Sequence, residues 1–249
     1  SFHSFILKRP IHLETYGTAL VTGLIVYLVA VALQPIRSYF DSDRDHKNKL
    51  SFSGVSETMR IVISNRQLRD LSLAAFAFGG LQAIFAGFFI LFLIDGLNYS
   101  ETQSGSIFAI SAFMAIVARI FWGYLASSVS TARTILGGIG IFGAIAAVLV
   151  SLFDNNSSYT FILAVAALYN ITALGWHGIL LAEVARLAPP GQIGGVTGGV
   201  LAFTSIAMMT YPALYGVILA FTNSYGIGFL VCSVPSIVSG MIFLRKPIE

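Results

Sequence analysis

The feature that most constrains the fold of this chain is a series of seven apolar runs, each long enough to cross a membrane. About 20 apolar residues in a helix span the hydrocarbon layer of a bilayer. The runs are separated by short polar turns and by one longer polar segment. They cover residues 16–33, 71–94, 105–127, 134–153, 159–182, 194–221 and 225–244. We therefore predict an all-α, polytopic membrane protein.

The composition supports this prediction. The 249 residues are 56% hydrophobic and only 10% charged, whereas soluble domains carry about 25% charged residues. The mean hydropathy is +0.83. The single cysteine, Cys232, excludes a disulfide within the chain and a cysteine metal cluster. No Ser-His-Asp or metal-binding pattern is visible, so we expect neither an enzyme nor a cofactor.

The positive charges predict the orientation of the spans. The formal net charge is +3, but the basic residues lie beside apolar runs, as in the cytoplasmic loops of membrane proteins, so nucleic acid is not an expected partner. Residues 95–103, 154–158 and 222–224 contain no Lys or Arg, whereas the polar segment 38–69 is rich in both. The positive-inside rule places that segment and the C-terminus in the cytoplasm of an inner-membrane protein. Lys8 and Arg9 are exceptions, since they fall on the outer side.

The polar segment 38–69 has two parts. Residues 41–49 form a mixed charge run that predicts a solvated loop. Residues 56–65 predict a short helix at the membrane surface, with Met59, Ile61, Val62 and Ile63 on its apolar side.

Arg119 lies in the third apolar run, about 10 Å before its cytoplasmic end at 1.5 Å of rise per residue. Arginine at membrane depth is costly and therefore a functional candidate. Two interpretations are open. Arg119 binds an anionic substrate through two parallel hydrogen bonds, or it is a structural residue that extends toward the headgroups.

The fifth run carries a second group of polar side chains. His177 lies about as far from the cytoplasmic end of its run as Arg119 does from its own, so the two could face one cavity. His177 is a candidate proton carrier or substrate ligand, and a hydrogen bond between helices is the alternative. Further candidates for lining a cavity are Trp176, Tyr169 and Asn170 in the same run and Gln82 in the second.

Charged residues at the predicted cytoplasmic end suggest a gate. Glu183 and Arg186 are one helical turn apart and can pair with each other. Alternatively, they pair with Arg133 across the bundle and form a latch that opens with the cytoplasmic side. A static surface pair of little energetic value is the third interpretation. The glycine-rich residues 194–199 predict close helix packing rather than a phosphate loop.

Two segments resemble the major facilitator superfamily. Its signature turn reads roughly G-x-L-(A/S)-D-R-x-G-R-R, and residues 123–133 read GYLASSVSTAR. Gly123, Leu125, Ala126 and Arg133 match, while serines replace the acidic residue, the following basic residue and the second glycine. Residues 175–178, 181–189 and 194–199 (GWHG, LAEVARLAP and GGVTGG) are similar to segments of many bacterial members.

The resemblance implies that the chain is the C-terminal half of a twelve-span transporter. Residues 1–37 would then end the N-terminal half with one transmembrane helix, residues 38–69 would form the cytoplasmic loop between the halves, and residues 70–249 would form a six-helix bundle. Gly123, as the signature glycine, would belong to the cytoplasmic gate with Arg133, Glu183 and Arg186. The missing N-terminal half and membrane lipids would be partners.

The resemblance also implies a function. Nitrate/nitrite porters and some carboxylate porters carry an arginine four residues before the signature glycine, which is the position of Arg119 relative to Gly123. We therefore expect a secondary active transporter of a small anionic metabolite that works by alternating access, with protons as candidate coupling ions. The alternative is a non-transporting membrane scaffold or receptor that keeps the half-fold.

Overall fold

The structure is a computed structural model that describes residues 13–33, 52–128 and 131–245. Within these ranges every regular element is helical and no strand occurs, which confirms the predicted all-α class. The helices are α1 Leu13–Leu33, α2 Phe52–Ser64, α3 Arg66–Leu91, α4 Glu101–Ser128, α5 Ala132–Ser151, α6 Tyr159–Ala173, α7 His177–Leu187, α8 Ile193–Thr222 and α9 Tyr225–Leu244. A π-helical turn, Phe92–Gly96, continues α3.

The chain divides into two compact units, Ser1–Leu50 and Ser51–Glu249. The first unit contains α1, which forms where the first span is predicted, and its stretch Gly23–Ala32 is apolar. The charge run 41–49 and the exceptional Lys8 and Arg9 lie outside the described residues. All further description concerns the second unit.

Six helical segments of the second unit are long and apolar enough to cross a membrane. They are Arg66–Gly96, Glu101–Ala126, Ala132–Ser151, Tyr159–Leu187, Ile193–Thr222 and Tyr225–Leu244. Each overlaps one of the predicted spans, and α9 has the predicted bounds. The prediction of six spans after the polar segment is therefore confirmed in type and order.

The fifth span is predicted as one apolar run over residues 159–182, but the structure divides it into two helices. Two helices, α6 and α7, meet at a break formed by residues 174–176. Glycine at position 175 weakens helix propagation. A side chain there would collide with the Ile171 carbonyl oxygen and the ring of Trp122. The break is therefore linked to the packing of Trp122.

Short polar side chains mark the beginnings of several helices. Asn65 accepts hydrogen bonds from the backbone N–H groups of Gln67 and Leu68 and thereby begins α3. Thr131, Ser158 and Ser224 do the same for α5, α6 and α9. Such caps satisfy backbone donors that have no partner within the helix, so the polar turns of the sequence define the helix ends well.

Glycines bring the helices close together in two places. A Cβ atom on Gly140 of α5 would lie 2.9 Å from the Cα of Gly240 in α9. On α3, Gly79 faces Thr204 and Gly80 faces the ring of Tyr211, both on α8. These contacts fix the pairs α5–α9 and α3–α8, since small residues allow close approach of membrane helices.

The helix α2 packs against the bundle. Val62 is fully buried, and its side chain approaches Gly199 of α8, with Thr58 beside Gly195 and Gly199. The predicted helix at residues 56–65 and the predicted packing role of the 194–199 glycines both agree with this arrangement. The compact unit therefore begins before residue 70, and the functional division of the chain into domains stays a prediction.

The bundle core has two apolar clusters. One contains the stacked rings of Phe85 and Phe89 beside Tyr169, and the other contains Phe78 packed edge-on against Trp176. The helices α4 and α8 are the least enclosed, because only 28% of the most apolar window of each is buried, against 56% for α3 and α5. Their outward faces are available to lipid or to further protein.

Candidate functional site

The break between α6 and α7 lies inside a membrane-spanning segment. Its backbone carbonyls cannot all take part in the regular helical hydrogen-bond pattern, because a helix end leaves its last carbonyls without partners. In a membrane such groups must be satisfied by neighbouring protein. The break is therefore the place where the bundle most needs side-chain donors.

Three side chains supply hydrogen bonds to the carbonyls at the break. The indole Nε1–H of Trp122 donates to the Ile171 carbonyl at 3.1 Å. The Nε–H of Arg119 donates to the Leu174 carbonyl at 3.1 Å. The third donor is Trp176, whose Nε1–H binds the Ala173 carbonyl at 2.8 Å. Arg119 and Trp122 are three residues apart and therefore share one face of α4.

Arg119 keeps hydrogen-bonding capacity beyond this contact. A guanidinium has five N–H donors, and the described contact of Arg119 uses its Nε–H. The residue is exposed on the bundle surface. Within the described ranges, no carboxylate lies within ion-pair distance of Arg119. The terminal Nη groups are thus available to an anion.

His177 begins α7 next to this guanidinium. Its ring stacks on the indole of Trp176 with the ring centres 3.8 Å apart, and it is half-buried. The Leu174 carbonyl that Arg119 binds lies three residues before His177, in the break. The buried Nδ1 of His177 has no hydrogen-bond partner among the described residues. The structure thus places both Arg119 and His177 at the break between α6 and α7, while their sharing of one cavity and their roles stay predictions.

Three other predicted site residues lie inside the bundle. Tyr169 is fully buried and donates its hydroxyl to the Leu81 carbonyl at 3.0 Å. Asn170 donates its amide to the Ser111 hydroxyl at 2.7 Å, linking α6 to α4. Trp176 is also fully buried. In this arrangement all three support the break from within, and their predicted contribution to a substrate site is not tested.

Gln82 differs from these three. It lies half-buried on α3, and its side-chain carbonyl oxygen is buried without a hydrogen-bond partner among the described residues. An unsatisfied buried acceptor costs about 1–3 kcal/mol. Gln82 therefore remains a candidate for a bond to substrate or to a residue beyond the described ranges.

Three of the four predicted gate residues line one cavity of about 740 Å³. Arg133, Glu183 and Arg186 meet there, between the ends of α3, α4, α5, α7 and α9. Glu183 accepts two hydrogen bonds from Arg186, of 2.9 and 2.6 Å. Gly123 does not line the cavity and faces open space on α4. The role of this group as a gate stays a prediction.

Arg133 forms its ion pair with a residue that sequence analysis did not select. Its Nη1 lies 3.9 Å from Oδ2 of Asp70, and its Nη2–H donates to the Ile242 carbonyl at 2.7 Å. The guanidinium also lies over the ring of Phe243, 5.4 Å from its centre. These contacts join the beginnings of α3 and α5 to the end of α9.

Two residues were not predicted from the sequence: Trp122, which bonds at the break, and Asp70, which pairs with Arg133. A tryptophan three residues after a membrane arginine was the available signal for Trp122, because that spacing places both side chains on one helix face. The signal for Asp70 was weaker. An acidic residue at the start of an apolar run is ordinary in membrane loops, and only the packing of α3 against α5 reveals its partner.

The fold, with six helical segments long and apolar enough to cross a membrane in the described part of the chain, is that of a polytopic helical membrane protein. A sequence model of the Major Facilitator Superfamily matches residues 11–207 and residues 71–249. The chain belongs to this superfamily. No curated protein matches it in a direct sequence comparison.

Proposed function

We propose that this chain is part of a secondary active transporter that moves a small anionic metabolite by alternating access. Arg119 binds the anion with its Nη groups, and His177 completes the site as a hydrogen-bonding or proton-carrying partner. Gln82, Trp176, Tyr169 and Asn170 shape the pocket. The observation that carries this proposal is the exposed guanidinium of Arg119, held at a helix break inside a membrane span.

The geometry supports an anion for two reasons. First, Arg119 is fixed by its Nε–H contact with Leu174, so its terminal N–H groups are held in a defined direction. A planar fork of this kind matches an oxyanion with two oxygens. Second, α7 begins at His177, and the amino end of a helix favours negative charge. Both features act at the same point of the bundle.

The exposed faces of α4 and α8 support an alternating mechanism. We propose that a second half of the protein covers these faces and supplies the opposite wall of the substrate path, as transporters with two repeats do. Arg133, Glu183, Arg186 and Gly123 then lie at the cytoplasmic gate. The lysines and arginines near the span ends favour a cytoplasmic C-terminus in the inner membrane.

The test is uptake by the full-length protein in proteoliposomes, with nitrate, phosphate and malate as separate probes. We expect at least one of these anions to be carried, and Arg119→Lys to abolish its uptake while the amount of inserted protein stays unchanged. Lysine keeps the charge but lacks the planar fork. Arg60→Lys, on the exposed side of α2, is the matched control and retains uptake.

Two results would contradict the proposal. Uptake of none of the three anions would remove the support for an anionic substrate and favour the scaffold alternative. Parental uptake by Arg119→Lys would show that Arg119 has only a structural part at the helix break.

A further inference from the structure

The cavity at the Arg133 end of the bundle has the properties of a ligand site separate from Arg119. Its volume of about 740 Å³ lies within the range of about 300–1,000 Å³ that is usual for ligand pockets. It is formed where five helices end, at the boundary between apolar spans and polar turns. A ligand there would be at the level of lipid headgroups.

The described lining of this cavity is rich in positive charge. Arg133, Arg186 and Arg245 contribute guanidinium groups, and Glu183 is the single carboxylate in that lining. Asp70 lies behind Arg133, 3.9 Å from its Nη1. Even with both carboxylates counted, the three arginines leave an excess positive charge, so the cavity favours an anion.

Several donors in the cavity have capacity for such an anion. The Nε of Arg133 is buried and has no hydrogen-bond partner in the part of the chain that the structure describes. Arg245 is exposed, and no described carboxylate lies within ion-pair distance of it. The lining also includes Thr131 and Thr134 at the start of α5, whose hydroxyl groups bond to each other at 2.9 Å, and the first turn of α5 contains no acidic residue. Helix starts of this kind attract phosphate.

Apart from Gln67, the remaining described wall of the cavity is apolar. Leu136 and Phe243 are buried beneath it, while Leu244 is 53% exposed at its edge. An inorganic anion would gain nothing from these side chains. An amphiphile would place its charged group among the arginines and its apolar chains along the leucines.

We propose that this cavity binds the phosphate headgroup of an anionic phospholipid. Basic pockets between membrane helices bind such headgroups, and each basic side chain near an anionic lipid surface contributes about 1 kcal/mol, or about a fivefold change in affinity. A free phosphate shares the headgroup chemistry but not the contacts with the apolar wall. The proposal requires no transport activity and is independent of the role of Arg119.

The test measures lipid bound to the purified full-length protein by native mass spectrometry. The added probes are phosphatidylglycerol, zwitterionic phosphatidylcholine and, in a third arm, inorganic phosphate. We expect phosphatidylglycerol to be retained in preference to phosphatidylcholine, and inorganic phosphate not to displace it at equal concentration.

Single charge changes sharpen this test. Arg245→Gln should lower the affinity for phosphatidylglycerol about fivefold. Glu183→Gln should raise it, because the change removes a negative charge and releases both hydrogen bonds that hold Arg186. Arg133→Gln should also lower the affinity for phosphatidylglycerol, but this variant affects packing with Asp70. The Arg245→Gln and Glu183→Gln variants therefore decide the test. Arg60→Gln, outside the cavity, should leave the affinity unchanged.

Equal retention of the two lipids would overturn the proposal, as would unchanged affinity in both Arg245→Gln and Glu183→Gln. Displacement of phosphatidylglycerol by equimolar inorganic phosphate would show that the cavity binds free phosphate and not a lipid headgroup. Failure of the wild-type protein to carry any of the three anions, with lipid binding as expected, would contradict only the proposed function and leave this site intact.

Discussion

The side chain of Arg119 donates its Nε–H to the backbone carbonyl of Leu174, 3.1 Å away and 55 residues later in the chain. This contact ties the middle of one membrane span to the break in another. It fixes the guanidinium and at the same time satisfies a carbonyl at the break. The bonding capacity for an anion and the stability of the broken span therefore depend on the same side chain.

Trp122→Phe should destabilise the bundle. The substitution keeps an aromatic ring beside Gly175 but removes the N–H that binds the Ile171 carbonyl at 3.1 Å. The cost should be about 1 kcal/mol, which is typical of a lost hydrogen bond between membrane helices. Unfolding in mixed micelles measures it. Phe113→Leu, on the exposed side of α4, is the control, and an equal loss in both variants would contradict the assigned bond.

Gly175→Ala should be more harmful than Gly178→Ala. A Cβ atom at position 175 would meet the Ile171 carbonyl and would lie 2.6 Å from Cδ1 of Trp122, while position 178 has open space. We expect a loss of about 1–3 kcal/mol at position 175, as for other overpacked sites. At position 178 we expect no loss or a gain of up to about 1 kcal/mol. Thermal unfolding of both variants provides the comparison, and similar midpoints would show that the break has room for a side chain.

The sequence was sufficient to predict helix type and order, because apolar runs of membrane length are local signals, but α3 and α4 begin four or five residues before the predicted runs. The break in the fifth span was not predictable in this way. Residues 159–182 form one largely apolar run without proline, and a single glycine such as Gly175 is common in membrane helices. The indole of Trp122, which packs against Gly175 and binds the Ile171 carbonyl, comes from a different span.

The residues of the candidate site were likewise only partly predictable from the sequence. Arg119 and His177 were selected as rare polar residue types at matching depth, and the structure places both at the break between α6 and α7. The partners that hold Arg119 and Arg133 were not predicted. Leu174 contributes a backbone carbonyl, which carries no signal in its side chain, and Asp70 approaches Arg133 only through packing of α3 against α5.

Tyr211→Phe and Tyr215→Phe should have opposite effects, although both residues lie on α8 one turn apart. The hydroxyl of Tyr215 donates to the Tyr225 carbonyl at 2.8 Å. The Tyr211 hydroxyl is buried without a partner among the described residues. Loss of the Tyr215 hydroxyl should cost about 1 kcal/mol, whereas removal of an unsatisfied hydroxyl should stabilise the bundle by a similar amount. Unfolding free energies of both variants, measured in the same detergent, test this difference. A destabilised Tyr211→Phe variant would indicate a partner for that hydroxyl.

The pair Asp70–Arg133 should be more strongly coupled than the pair Glu183–Arg186. The side chains of Asp70 and Arg133 are 11% and 25% exposed, while Arg186 is 62% exposed. Removal of one charge from a buried pair leaves the other uncompensated, which is strongly destabilising, whereas an exposed pair contributes about 0.2–1 kcal/mol. Double-mutant cycles with alanine measure both coupling energies. A larger coupling for Glu183–Arg186 would contradict the inference that the less exposed pair, Asp70–Arg133, is the more strongly coupled one.

Gln82→Cys should distinguish transport from a scaffold role. With Cys232 replaced by serine, this variant carries one thiol, at the position where the wild-type side-chain oxygen has no partner among the described residues. If Gln82 faces the substrate path, the anion that the wild-type protein carries should slow maleimide labelling of the thiol. Gly87→Cys is the control on the same helix, because position 87 is exposed and faces open space, so its labelling should not respond to the anion.

Tyr169 is unsuitable for this purpose, since it is fully buried and bonded to Leu81. Equal labelling of Gln82→Cys with and without the anion would contradict a substrate path along α3, and the scaffold interpretation would then explain the half-bundle better.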